Sequence, residues 1–506
     1  MERLFLRLPL FLVLAGIFAL AMYLPAGMAL AQEEFRTARS FFYSATLLLI
    51  LLTLIAIAQS NRQHRESGLR QLLALLGAFT ALPVLLAVPL HDSLRGTSFL
   101  DAYMEMVSSI TTTGLPLFDP EALIRPLHLW RGLVGWMGGF LMWVAAAAIL
   151  APLNLGGFEV TATAEPGQEI TRHSQIAARR DATAHRLRRT TFQLFPIYTG
   201  LTGALWLCLL VTGGDPFVSI VHAMSVMATS GISPIGGLEY SATGVAGEML
   251  VFLFLFFALS RLTFSSDTVA TRRTGLYFDP EFRIGIILVI GVPLLLFFRH
   301  WLGAYEFDEQ QNLVAGLHAL WGGMFTVLSF LSTTGFESVD WQAARGWSGL
   351  DTPGLILLGL SLVGGGVATT AGGVKLLRVY ALYLNGMREI ERLVHPSSVG
   401  RASAGSRRLR RQGAFVAWIF FMLYALTLTL ITVILAGLGS DLESSVVLSI
   451  STLSTTGPLV SAAPEAPIHL AEMNNASKLV LCAAMALGRL EMLAIIALFT
   501  TDLWRE

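Results

Sequence analysis

Ser109-Ile110-Thr111-Thr112-Thr113-Gly114 is one of four related stretches in a chain of 506 residues. The others are Met227-Ala228-Thr229-Ser230-Gly231, Leu331-Ser332-Thr333-Thr334-Gly335 and Leu453-Ser454-Thr455-Thr456-Gly457. Their glycines lie 117, 104 and 122 residues apart. A single Ser/Thr-Gly sequence carries little information, because glycine commonly ends helices. Four copies at a nearly constant period define a repeated architecture. Each copy closes an apolar segment, near 99–113, 216–230, 312–334 and 441–456, that reads as too short to cross a bilayer.

Around these segments lie ten longer apolar stretches, near 5–30, 40–58, 72–90, 128–152, 192–212, 247–264, 283–301, 353–383, 413–437 and 477–499. Apolar residues make up 54% of the chain, charged residues 13%, and the mean hydropathy is +0.65. Soluble domains carry roughly 45–50% apolar and about 25% charged residues. The figures exclude a soluble globule and a disordered chain. The two cysteines, Cys208 and Cys482, sit in apolar stretches as small packed hydrophobes, which excludes a disulfide scaffold. In lipid every backbone polar group must be paired internally, so the long stretches must be helices. The alternation of a membrane β-barrel is absent.

Basic residues set the orientation. With the N-terminus in the cytoplasm, 25 of the 34 fall on the cytoplasmic side, including six arginines over 172–189 and nine basic residues over 375–411. Both termini are then cytoplasmic. The expected fold is an all-α polytopic membrane protein of about ten transmembrane helices. Four repeats of span, pore helix, loop and span surround a pseudo-fourfold pore. Two N-terminal helices occupy 1–70, and the repeats occupy 71–153, 192–266, 283–384 and 413–506. Cytoplasmic linkers at 154–191, 267–282 and 385–412 separate them. Residues 1–31 also read as a secretory leader ending in Ala29-Leu30-Ala31, although the apolar run is long for one.

Non-helical backbone at membrane depth survives only when buried in protein or lining water. Four re-entrant loops about one axis meet both conditions. Their carbonyls can replace the hydration shell of a cation, and glycine permits the backbone angles this needs. The candidate filter residues are Thr112, Thr113, Gly114, Thr229, Ser230, Gly231, Thr333, Thr334, Gly335, Thr455, Thr456 and Gly457. A carboxylate ring is absent from these stretches, which favours a monovalent cation, K⁺ ahead of Na⁺. A less selective K⁺/Na⁺ pathway stays open on these grounds.

The eighth stretch contains Gly364, Gly365, Gly366, Gly372 and Gly373 between Val363 and Lys375. Each glycine costs a helix about 1 kcal/mol relative to alanine, so the span should unwind over 364–373 into a gate loop. Thr369, Thr370 and Lys375 belong to it. Arg489, inside the last span, is the expected pore-lining charge, since intramembrane arginines usually face water, carbonyls or a partner. Residues two apart on a helix do not face each other, so Glu491 is a poor partner for it. An enzyme would need clustered catalytic groups. The ten histidines are scattered, and no His-Glu-x-x-His or nucleotide-binding glycine loop occurs. Nothing in the chain offers a nucleotide site or points to nucleic acid. A symporter driven by H⁺ or Na⁺ would need intramembrane acids as relays, and Glu105 and Glu491 are the two in apolar surroundings. The Arg-rich linkers can meet lipid headgroups or dock a soluble regulator.

These residues resemble the Trk/Ktr/HKT superfamily, specifically its TrkH/TrkG-type membrane subunits. The resemblance rests on His128-Leu129-Trp130-Arg131 with Trp136-Met137-Gly138-Gly139, on Leu376-Leu377-Arg378-Val379 through His395-Pro396, and on Gly488-Arg489-Leu490-Glu491. It covers nearly the whole chain. It implies K⁺ uptake across the bacterial inner membrane by a homodimer with one pore per subunit. It also implies control by a cytosolic TrkA-like ring that senses nucleotides. Glycine in all four loops goes with K⁺ preference in that family, and serine in the first loop with Na⁺ permeation. The chain departs from the family pattern at Ala368 and Ala371 in the gate and in its fourth loop, Ser454-Thr455-Thr456-Gly457-Pro458.

Overall fold

The structure is a computed structural model that describes residues 8–59, 68–151, 155, 157, 172–260, 279–303, 309–348, 352–395, 404–464, 468–492 and 494–495. The start of the leader-like segment, Arg505, and most of the linkers at 154–171, 267–278 and 396–403 lie outside the described residues. Helices account for nearly all the regular structure.

Eight helical stretches are long and apolar enough to cross a membrane. The first joins α1 (Leu10–Ala21) and α2 (Tyr23–Ala31), and α3 (Phe35–Gln59) forms the second. The third joins α4 (Gly68–Thr80) and α5 (Leu82–Ser93), which are offset at Ala81 just before Pro83. Proline suits a first helical turn because its missing N–H is unpaired there anyway. After α6 (Phe99–Ile110) comes α7 (Arg125–Ala145), which continues as one wide turn to Leu150. Then come α8 (Arg172–Val211), α9 (Pro216–Ala228) and α10 (Gly244–Leu255). Next are α11 (Pro280–Gly303), α12 (Glu309–Leu331) and the short α13 (Trp341–Ser348). The chain ends with α14 (Gly354–Val363), α15 (Leu376–Val394), α16 (Ala404–Gly437), α17 (Leu442–Leu453), α18 (Leu459–Ala462) and α19 (Asn475–Leu490).

Two features differ from the sequence reading. The third re-entrant segment, expected near 312–334 as too short to cross, starts earlier and has span length: α12 covers Glu309–Leu331, and Val314–Leu331 alone is a candidate span. Its polar prefix, Glu309-Gln310-Gln311-Asn312, hid the helix start. In the described part of the stretch expected near 247–264, the helix covers Gly244–Ala258 and ends before Leu259. As the glycine run predicted, the stretch near 353–383 is two helices, α14 and α15, parted by an irregular segment. Through 172–191 the first linker is one helix with the span that follows it, as α8 runs 40 residues unbroken.

Helices α6, α9 and α17 each start at a side chain that accepts the first free amides. Ser98 takes Asp101 N, Asp215 takes Phe217 N and Val218 N, and Asp441 takes Ser444 N. Such caps stabilise a helix by about 1 kcal/mol. The apolar core wraps these helices continuously. Phe41, Phe79 and Trp130 fill it on the side of repeat 1, Phe325, Phe330 and Phe336 fill it on the side of repeat 3, and Phe420 and Met485 fill it beside repeat 4. Trp130 is fully buried, edge-on to Phe41 at 5.6 Å, and its indole N–H donates to Leu86 O.

Candidate functional site

The four loops share one backbone design. Two residues before each glycine stands a threonine in the left-handed region: Thr112 (φ 54°), Thr229 (φ 50°), Thr333 (φ 59°) and Thr455 (φ 55°). A β-branched residue rarely adopts this conformation, and four equivalent instances mark a constraint from the surroundings. The residue after each threonine returns its amide to a serine carbonyl one turn back. The bonds are Thr113 N to Ser108 O, Ser230 N to Ser225 O, Thr334 N to Ser329 O, and Thr456 N to Ser451 O, at 2.8–2.9 Å. This pattern closes a helix and turns the chain sharply. The sequence pattern is therefore Ser-x-x-x-Thr-x-Gly in all four repeats, and its serine was readable in the sequence but was missed there.

The loops touch in a closed cycle. A Cβ on Gly114 would overlap the Ser230 carbonyl of the second loop. One on Gly231 would overlap the Thr334 carbonyl of the third, and one on Gly335 would press on Pro458 of the fourth. One on Gly457 would overlap Thr113 and Leu115 of the first, and Gly457 N already donates to Thr113 O at 2.6 Å. The first three glycines have positive φ, whereas Gly457 does not; it is followed directly by Pro458 and α18. All twelve candidate filter residues are buried and converge on this ring.

Residues 364–375 form the break between α14 and α15, and every one except Ala368 is buried. The segment lies directly against the Thr-x-Gly loops. Gly372 N donates to Thr333 Oγ1 at 2.8 Å, and the Thr229 hydroxyl donates to Thr370 Oγ1 at 3.1 Å. A Cβ on Gly372 would overlap the Ser454 carbonyl and the Thr455 hydroxyl. So the segment contacts three of the four left-handed threonines. Gly364 (φ 70°) and Gly373 (φ 79°) lie back to back, and a side chain on either would strike the other strand of the loop.

Polar side chains hold the segment in place. Arg489 donates to Thr370 O at 2.6 Å, and Lys375 donates to Ala371 O. Glu281, near the start of α11, accepts from Val367 N at 3.0 Å, and Gly366 N donates to Ala258 O. Glu281 was not among the candidates from the sequence. Glu491 pairs with the buried Arg378 at 2.6 Å, and Arg378 stacks on Phe420 at 3.7 Å from the ring centroid. Removing one partner from such a pair strands a buried charge and costs about 3–5 kcal/mol. Arg378→Ala is accordingly expected to lower the thermal unfolding midpoint of the detergent-solubilised protein sharply, whereas Arg392→Ala, whose pair with Glu389 is exposed, leaves it within a degree or so.

Glu105 pairs with Arg131, and Lys478 pairs with Asp101 at 2.6 Å. Both acids named as possible proton relays therefore have arginine partners, and Arg131 is itself buried. Outside the spans, in the connectors beyond the second and third loops, burial pushes the Glu239 carboxyl up to about 7, with Glu337 and Glu248 adding repulsion. Burial raises Glu337 as well, against the opposing charge of Arg345.

The family model described as TrkH, cation transport protein, matches residues 249–505. A Trk system potassium uptake protein TrkH from Halomonas elongata is 31% identical over 441 residues, covering 86% of this chain and 84% of the relative. The chain belongs to the TrkH family of cation transport proteins. Its TrkH relative from Vibrio parahaemolyticus is 28% identical over 98% of both chains. The crystal structure of the potassium transporter TrkH from Vibrio parahaemolyticus superposes with a TM-score of 0.79, at 25% identity, over the full length of both chains. The TrkH-family assignment and the apolar helices make the chain a membrane protein.

Proposed function

We propose that this chain carries K⁺ into the cell across the bacterial inner membrane, through a filter formed by the four Ser-x-x-x-Thr-x-Gly loops. The cyclic contact of the four loops carries the reading. A closed ring of backbone at the C-terminal ends of pore helices presents carbonyls to one axis, where the helix dipoles also favour a cation. The relatives named for potassium uptake support K⁺ as the transported ion. Residues 364–373 act as the gate, with Arg489 fastening the loop and adding a positive barrier below the filter. A small cavity lined by Trp143, Tyr198, Phe254, Phe257, Thr369 and Thr370 flanks the loop. Two subunits associate, each with its own pore, and a soluble TrkA-like nucleotide-binding ring acts on the cytoplasmic face, where both termini and the Arg-rich linkers lie. The pore repeats follow the boundaries given above.

Coupling to H⁺ or Na⁺ is the second reading. The arginine partners of Glu105 and Glu491 weigh against it, because a relay carboxylate must be free to take a proton.

Expression in a bacterium stripped of its own K⁺ uptake but retaining a Trk-type soluble regulator tests the proposal. Growth at low external K⁺ is expected. Failure to rescue growth, with the protein present in the membrane fraction, contradicts it.

A further inference from the structure

The third loop is fastened differently from the other three. In repeats 1, 2 and 4, a hydroxyl or imidazole of the helix leading into the loop bonds a group of that loop or of the segment just after it. Ser108 Oγ accepts from Leu115 N at 2.7 Å, His222 Nε2 meets Ser233 Oγ at 2.8 Å, and Ser451 Oγ donates to Thr456 O at 2.9 Å. In repeat 3 the helix leading into the loop contributes a long bond, Thr326 Oγ1 accepting from Ser338 N at 3.4 Å, but the segment after Gly335 is gripped mainly by a carboxylate from the repeat before. Glu248, on α10, accepts from Val339 N at 2.6 Å, from the Ser338 hydroxyl at 2.8 Å and from the Trp321 indole at 3.1 Å. Glu248 is fully buried. Ser338 Oγ in turn accepts from Asp340 N at 3.1 Å, so the grip extends along the strap.

We infer that Glu248 is a positioning residue that fixes the third filter loop and thereby the ion selectivity of the ring. The inference rests on the filter reading above. A buried carboxylate is tolerated only where donors surround it, and hydrogen bonds to a charged acceptor are shorter and stronger than neutral ones. Three such donors converge here, two of them from residues just beyond Gly335. The third loop touches both neighbours, through Thr334 to Gly231 and through Gly335 to Pro458. Any shift of the strap therefore reaches three of the four loops. An amide in place of the carboxylate turns one acceptor oxygen into a donor, which faces another donor.

The test uses the full chain reconstituted in proteoliposomes as wild type, Glu248→Gln, Ser338→Ala and Trp321→Phe. Uptake of radioactive rubidium is measured with K⁺ or Na⁺ as competitor, alongside thermal unfolding of each protein. Glu248→Gln is expected to admit Na⁺ competition at a concentration roughly threefold to tenfold lower. Ser338→Ala shifts the ratio in the same direction by less. Trp321→Phe lowers stability and leaves the ratio unchanged, since its N–H ties Glu248 to α12 and not to the strap. Folded Glu248→Gln and Ser338→Ala proteins with the wild-type ratio overturn the inference. If Glu248→Gln does not fold, Ser338→Ala decides alone by the same criterion. A wild-type protein that fails to discriminate K⁺ from Na⁺ overturns the filter reading, and this inference with it.

Discussion

Replacing Gly114 with serine raises Na⁺ permeation relative to K⁺. Gly114 has φ 67°, a conformation that strains any L side chain, and its Cα lies against the Ser230 carbonyl of the neighbouring loop. A Cβ cannot fit there without moving backbone, so two adjacent carbonyls of the ring shift together. The added hydroxyl also offers a small hydrated cation a ligand that the carbonyl ring did not. A loss of about tenfold in discrimination, equivalent to about 1.4 kcal/mol between the two ions, is the expected scale. Rubidium uptake with Na⁺ as competitor measures it. Gly96→Ala is the control: its φ is 81°, but nothing lies within 4 Å of the added Cβ. It shares the strain without the collision and should leave the ratio alone. An unchanged ratio in Gly114→Ser removes the first loop from the filter.

Replacing Arg489 with alanine raises K⁺ flux. The Arg489 side chain is buried, and its Nη1 donates to Thr370 O at 2.6 Å, while Nε and Nη2 have no hydrogen-bond partner among the described residues. One substitution removes both the fastening of the loop and a positive charge beside the proposed ion path. A hydrogen bond to a charged group contributes about 1.5–3 kcal/mol, so the open population should rise by about tenfold or more. Arg489→Lys keeps the charge on a single ammonium and should give an intermediate flux. Initial uptake rates into proteoliposomes, scaled to folded protein, separate the cases. A well-folded Arg489→Ala protein with unchanged flux would make Arg489 a structural residue only.

What the sequence disclosed and what it hid divide along physical lines. The four glycines, the unwinding at 364–373 and the separation of Arg489 from Glu491 were legible, because each follows from local composition or helical spacing. The serine six residues before each glycine, Ser108, Ser225, Ser329 and Ser451, obeys the same local logic. It escaped notice because serine is common at helix ends. The start of α12 was misjudged because its first turn is polar. By contrast, Arg378 reaches Glu491 across 113 residues, Glu281 reaches Val367 across 86 and Glu248 reaches Val339 across 91. Such pairings belong to the tertiary arrangement of repeats and leave no periodic trace. The acids at 105 and 491 looked like relays for the same reason: their arginine partners lie on other helices.

The central claim is that four backbone loops form one potassium-selective path. It is tested most directly by rubidium uptake into proteoliposomes holding the purified chain, with K⁺ or Na⁺ as competitor and no imposed ion gradient other than that of rubidium. K⁺ is expected to block uptake, and Na⁺ is not. Equal block by the two ions, or uptake only under an imposed H⁺ or Na⁺ gradient, would contradict it.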